Sequence, residues 1–271
     1  MLRQVYGFPA GHVTALVDGP NSREYVTSSG IIAALEAMAG QVKEEDTFLF
    51  YFAGHGIVRG AESYLLGIDA DLSSRRQLQS TSIPVSFLRE TLTKIPARHK
   101  IIIVDACRND PVPGRYGRAN QLEQAMRDSF QDIIGGPRVA TAASPAAAML
   151  LFACDVGQRA WEWEEKGHSV FAYYLIEALR GGAAEPDGKI EFSGVASYVQ
   201  GKLEAWSRHN RERPQRAIFE AKGLARLVLT TWPGFPIVSA VESWGQPQWA
   251  SRGATRRAGA RMARGGDRSR P

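Results

Sequence analysis

Cysteine is nearly absent from this chain. Only Cys107 and Cys154 occur among 271 residues, which excludes a disulfide framework and suits one working thiol and one packing thiol in a reducing compartment. No apolar run approaches the ~20 residues needed to cross a bilayer, so no membrane span is expected. No Gly-x-Gly-x-x-Gly follows an early strand, which argues against a dinucleotide-binding enzyme. His12, His99, His168 and His209 have no cysteine or acid at ligand spacing, and no metal site is expected. There is no internal repeat. No signal peptide stands at Met1, and the expected location is cytoplasmic.

The basic balance excludes less than it suggests. A formal net charge of +5 and a pI near 9.3 arise in the tail, where residues 251–271 hold seven arginines against one acid, Asp267. The rest of the chain is close to neutral. The tail has no interleaved aromatics, so no specific nucleic-acid partner is expected. From Pro233 onward Pro, Gly, Ser and Arg dominate without periodicity, and residues 233–271 are expected to form a disordered basic tail.

What is present is a regular alternation of apolar strands and amphipathic helices. Strands are expected at 13–17, 48–53, 64–68, 101–104, 149–153 and 224–229. Helices are expected from Thr27 or Ser28 to about Val42, from Ile83-Pro84-Val85 to about Ile95, from Val170 to Leu179 and from Phe192 to Trp206. Residues 108–138 read as a long polar loop with one helical stretch at 119–134. The order implies an α/β fold with a mostly parallel sheet and helices on both faces.

Two of these strands end in chemistry. Phe48-Leu49-Phe50-Tyr51-Phe52-Ala53-Gly54-His55-Gly56 closes on an imidazole, and Ile101-Ile102-Ile103-Val104-Asp105-Ala106-Cys107-Arg108 closes on a thiol. Open parallel sheets place ligands at the carboxyl ends of their strands, and a histidine with a thiol there is the minimum equipment for thiolate hydrolysis. Asp105 lies two residues before Cys107. Extended residues at i and i+2 share a side, so this carboxylate is expected to face the same cleft. It would oppose thiolate formation unless a cation arrives to neutralise it.

These segments resemble the caspase-like cysteine peptidases, and more closely their bacterial and metacaspase branch. The separation of 52 positions from His55 to Cys107 agrees with the roughly 50-residue separation of caspases. "GHSVFAYYLIEAL" resembles the helix of the family's small-subunit half. The resemblance implies a caspase-like three-layer sandwich over 1–232: a large-subunit-like part to about 110, the loop 108–138 and a small-subunit-like part over 139–232. It implies a Cys107–His55 dyad, an oxyanion hole from the backbone N–H groups of Gly56 and Cys107, and an S1 pocket built on Asp105. The expected substrates are proteins or peptides with Arg or Lys at P1, where aspartate-cleaving animal caspases have an uncharged residue near Asp105.

Asp69 and Glu162 are further candidates for the substrate cleft. Asp69 and Asp71 alternatively form a calcium site, since calcium activates some metacaspases, but no EF-hand spacing is present and no cofactor is expected. Arg108, Arg115, Arg118, Arg127 and Arg138 are candidate self-processing sites in the loop. Arg108-Asn109-Asp110-Pro111 departs from the glycine-containing turn that follows the nucleophile in caspases and metacaspases. The family's first strand and helix are not seen before Val13–Val17, so the chain is expected to be a fragment or to carry a misassigned start. Two rivals follow: a catalytically inactive caspase-homology scaffold, and an unrelated thiol amidase on an α/β sheet.

Overall fold

The computed structural model describes residues 8–18, 26–60, 62–107, 128, 147–155, 158–223 and 226–231. Ten strands and five α-helices follow one another along these residues. The strands are β1 (Thr47–Arg59), β2 (Glu62–Leu66), β3 (Ser82–Pro84), β4 (His99–Cys107), β5 (Ala147–Phe152), β6 (Glu162–Trp163), β7 (His168–Ser169), β8 (Lys189–Glu191), β9 (Ile218–Gly223) and β10 (Val228–Thr231). The helices are α1 (Ser28–Ala39), α2 (Arg75–Thr81), α3 (Val85–Lys94), α4 (Val170–Glu177) and α5 (Phe192–Asn210). The main sheet has six strands in the order β3-β2-β1-β4-β5-β9. Its centre, β1-β4-β5, is parallel; β2 and β9 add antiparallel margins.

Side-chain alternation along the central strands separates two cores. Ile101, Ile103, Met149 and Leu151 pack on one face against Val170, Phe171 and Leu175 of α4 and Val195, Val199 and Leu203 of α5. Ile102, Val104, Leu150 and Phe152 point the other way, against Leu35 of α1 and Val85, Leu88 and Leu92 of α3. Strands buried on both faces have no polar side to present, which is why they read as unbroken apolar runs. The sequence expectation of a three-layer α/β sandwich is therefore met.

The helix starts follow local chemistry. Thr27 accepts the Gly30 N–H at 3.1 Å at the head of α1, Ser74 accepts the Gln77 N–H at 3.1 Å at α2, and Ser169 accepts the Ala172 N–H at 2.9 Å at α4.

Several boundaries differ from expectation. Residues 13–18 lie in neither strand nor helix, with Val17 64% exposed; an apolar run becomes a strand only where a neighbouring ladder includes it, and none of the described ladders does. The strand expected at 48–53 runs on through His55 to Arg59, because β2 folds back to pair with it from His55 to Arg59. Gly60, at φ 67°, makes the return possible. The strand expected at 64–68 is Glu62–Leu66, the strand expected at 224–229 is Val228–Thr231, and Ile218–Gly223 is a strand not expected from the sequence. The expected loop 108–138, its helix, its arginines and the tail beyond 233 lie outside the described residues, Asp128 excepted.

Candidate active site

The register of two strands builds this site. β1 and β4 pair in parallel with Ala53 beside Asp105 and His55 beside Cys107. Neighbouring strands lie about 4.8 Å apart, so the imidazole-bearing residue and the thiol-bearing residue occupy adjacent positions at the same sheet edge. His55 is exposed. Gly54, just before it, is compelled to be small: a Cβ there would meet the Phe52 ring at 2.9 Å. Gly56 sits in the hairpin ladder opposite Leu65.

Asp105 is only 2% exposed. The Ser169 hydroxyl donates to its Oδ2, while Oδ1 is buried without a hydrogen-bond partner among the described residues. Burial pushes this carboxyl up to about 7, with a smaller upward push from the Glu162 charge; the Ser169 and Tyr51 hydroxyls oppose the shift by hydrogen bonding. A buried acid in this state titrates near neutrality.

A short hairpin is tied to β4 through Ser169. β6 and β7 pair Glu162 with Ser169 and Trp163 with His168. One serine thus performs two tasks, capping α4 and holding Asp105. Burial holds His168 below the ordinary histidine range, partly offset by Glu162. Behind the hairpin, Trp163 packs on Tyr173 at 4.9 Å and on Trp206 at 5.3 Å between ring centroids. The Arg211 guanidinium sits 5.0 Å from the Trp161 ring and 4.8 Å from the Trp206 ring. Gln215, fully buried, accepts the Trp161 N–H at 2.9 Å and donates to the Ala153 carbonyl at 2.7 Å. The hairpin is therefore braced from both sides.

The structure brings His55, Gly56, Cys107 and Asp105 to one edge, with exposed Glu162 electrostatically coupled to Asp105. It engages Asp69 at the head of α1. The Asp69 carboxylate accepts the Ser28 N–H at 2.8 Å and the Ser28 hydroxyl at 3.3 Å, at the first turn of α1. That helix covers the sheet face opposite the one carrying Asp105, so Asp69 reads as a capping acid. Asp71 accepts the Ser73 N–H and is held below the usual carboxylate range by hydrogen bonds from Ser73. Ser169, Tyr51 and Gln215 were not singled out by sequence reasoning. A serine one residue before an apolar helical run is a capping signal, but its second bond, to Asp105, spans 64 positions.

The family model of the caspase domain matches residues 1–227. The chain belongs to the caspase-domain peptidases. No curated protein matches the sequence. Among solved structures, this caspase domain is similar to a protein of Geobacter sulfurreducens at 15% identity, covering 72% of this chain and 73% of the other with a TM-score of 0.45. It is similar also to caspase-1 of Spodoptera frugiperda at 16% identity, covering 71% and 68% with a TM-score of 0.38. Among the described residues no helix is long and apolar enough to cross a membrane.

Proposed function

We propose that this caspase domain is a cysteine endopeptidase that cleaves polypeptides after arginine or lysine. The Cys107 thiolate attacks the scissile carbonyl carbon, and His55 moves the proton to the leaving amine. The backbone N–H groups of Gly56 and Cys107 receive the oxyanion. Water then hydrolyses the thioester, with His55 as the base, and restores the thiol.

The observation that carries this reading is the acid beside the dyad register. A buried carboxyl costs stability when ionised, and its Oδ1 has no hydrogen-bond partner among the described residues. A P1 guanidinium or ammonium supplies both the missing donor and the missing charge. Glu162, exposed and coupled to Asp105, extends the acidic wall toward solvent. An aspartate at P1 would meet like charge there.

Fluorogenic peptides ending in Arg, Lys or Asp test it. The wild type is expected to turn over the Arg and Lys peptides and to leave the Asp peptide intact. Cys107→Ala and His55→Ala are each expected to lose at least 1,000-fold in kcat/KM. Preference for aspartate overturns the specificity, and undiminished turnover by Cys107→Ala overturns the dyad. An Arg-based electrophilic probe that leaves Cys107 unlabelled in folded protein would instead identify an inactive scaffold.

A further inference from the structure

A cavity of about 310 Å³ lies at the far end of the β1–β2 hairpin, lined by Arg59, Gly60, Leu72, Ser73, Ser74, Arg75 and Leu78. Two arginines, Arg59 and Arg75, line it. Neither Arg59 nor Arg75 has an ion-pair or hydrogen-bond partner among the described residues. Glu62, the cross-strand partner of Arg59, accepts from the Ser86 N–H and hydroxyl, and Asp71 accepts the Ser73 N–H; neither acid lines the cavity. Two cationic residues lining one concave site favour an anion there.

We propose that this cavity binds a dianionic phosphoryl group. The charge balance argues for phosphate over carboxylate: two cations match a phosphomonoester dianion, and the planar guanidinium forks suit its oxygens in bidentate geometry. The hydroxyls of Ser73 and Ser74 add donors; the Ser74 oxygen accepts the Gln77 N–H, which leaves its own proton available. Leu72 and Leu78 give an apolar wall for the body that carries the phosphate. The volume is at the lower end of small-ligand pockets. α2 has only seven residues and is not invoked as a charge source.

The site lies on the working side of the molecule. His55, Ile57 and Arg59 alternate onto one face of β1, and Ile57 packs with Tyr64 and Leu78 beneath the cavity. Arg59 stands four residues, roughly 13 Å, beyond His55 along the strand. A phosphoryl group there belongs either to a small effector or to a phosphorylated side chain of a bound polypeptide.

Calorimetric titration with inorganic phosphate at low chloride tests the proposal without reading hydrolysis, so its outcome is independent of the protease reading. Saturable one-site binding is expected, at least tenfold weaker in Arg59→Gln and in Arg75→Gln. It is expected to be unchanged in Arg76→Gln, whose side chain does not line the cavity. Arg59→Lys keeps the charge but loses the fork, and an intermediate loss is expected. Far-UV circular dichroism establishes that each variant is folded. A second pair of titrations, with free O-phosphoserine and with a phosphoserine peptide, separates the two sources: tighter binding by the peptide assigns a polypeptide, and equal binding assigns a small phosphomonoester. No saturable binding overturns the proposal. So does equal affinity for acetate, or an Arg76→Gln variant as weak as the other two.

Discussion

Asp105 is where the physics of a single residue is most exposed. Its carboxyl titrates at about 7 in the folded protein against an ordinary 3.8. The folded state therefore keeps a proton that the unfolded chain releases. The stability this provides is complete below the unfolded value, declines as pH rises from about 4 toward 7, and then levels off, amounting to a few kcal/mol for a fully buried group. Asp105→Asn removes that dependence. Thermal unfolding of the two proteins is expected to diverge with pH, the asparagine form gaining roughly 5 °C at pH 8 relative to the difference at pH 4. Activity is expected to move oppositely. The Asp105 anion, proposed to bind a basic P1 group, accumulates as pH climbs through 7, so KM for an Arg peptide should fall over that range in the wild type and stay flat, and at least tenfold higher, in Asp105→Asn. A KM profile unaffected by the substitution would remove Asp105 from the S1 pocket. The residue was legible in the sequence because alternation puts positions 105 and 107 on one side. Its burial was not, since that depends on Ser169, 64 positions away.

At the scale of elements, the short hairpin β6–β7 depends on contacts that come from distant segments. Ser169 binds Asp105 and caps α4, and Gln215 ties Trp161 to Ala153. Ser169→Ala removes a helix cap, worth ~1 kcal/mol, together with a hydrogen bond to a buried carboxyl, worth about 1–3 kcal/mol. Chemical denaturation is expected to register a loss of about 2–4 kcal/mol. The Asp105 carboxyl, deprived of the bond that lowers it, is expected to titrate higher still, which moves the KM inflection upward. A merely structural serine would leave that inflection in place. Gln215→Leu fits the space but leaves the Trp161 N–H and the Ala153 carbonyl unpartnered, and a comparable loss is expected. The strands and helices themselves were largely readable, because apolar runs and caps are local signals. α1 begins after Thr27, and α3 begins at Val85 after Pro84, as the sequence indicates. α2 was missed: seven residues with one buried side chain, Leu78, give almost no periodicity to detect. The extension of β1 to Arg59 was missed because it is a property of the hairpin and not of the strand.

At the scale of the whole molecule, the two faces of the sheet are not equally covered. α4 and α5 lie over β4 and β5 on the face that carries Asp105, but their layer does not reach β1: Leu49 is 38% and Tyr51 42% exposed. On the opposite face α1 and α3 cover Phe48 and Phe52 of the same strand. The expected sandwich is thus complete on one side and short by one strand's width on the other, among the described residues. Sequence patterning could not reveal this, since Leu49 and Ile101 are equally apolar and stand side by side in register. Their energetic weights should differ. Ile101 is 0% exposed inside the α4–α5 core, and Ile101→Ala is expected to cost about 2–4 kcal/mol through lost transfer energy and a cavity. Leu49→Ala gives up contacts on an exposed surface and is expected to cost less than about 1 kcal/mol. Denaturant unfolding of the two variants decides between them. A cost at Leu49 equal to that at Ile101 would mean that the face of β1 is covered in solution by a segment outside the described residues or by a second molecule, and protein-concentration dependence of the midpoint would separate those two.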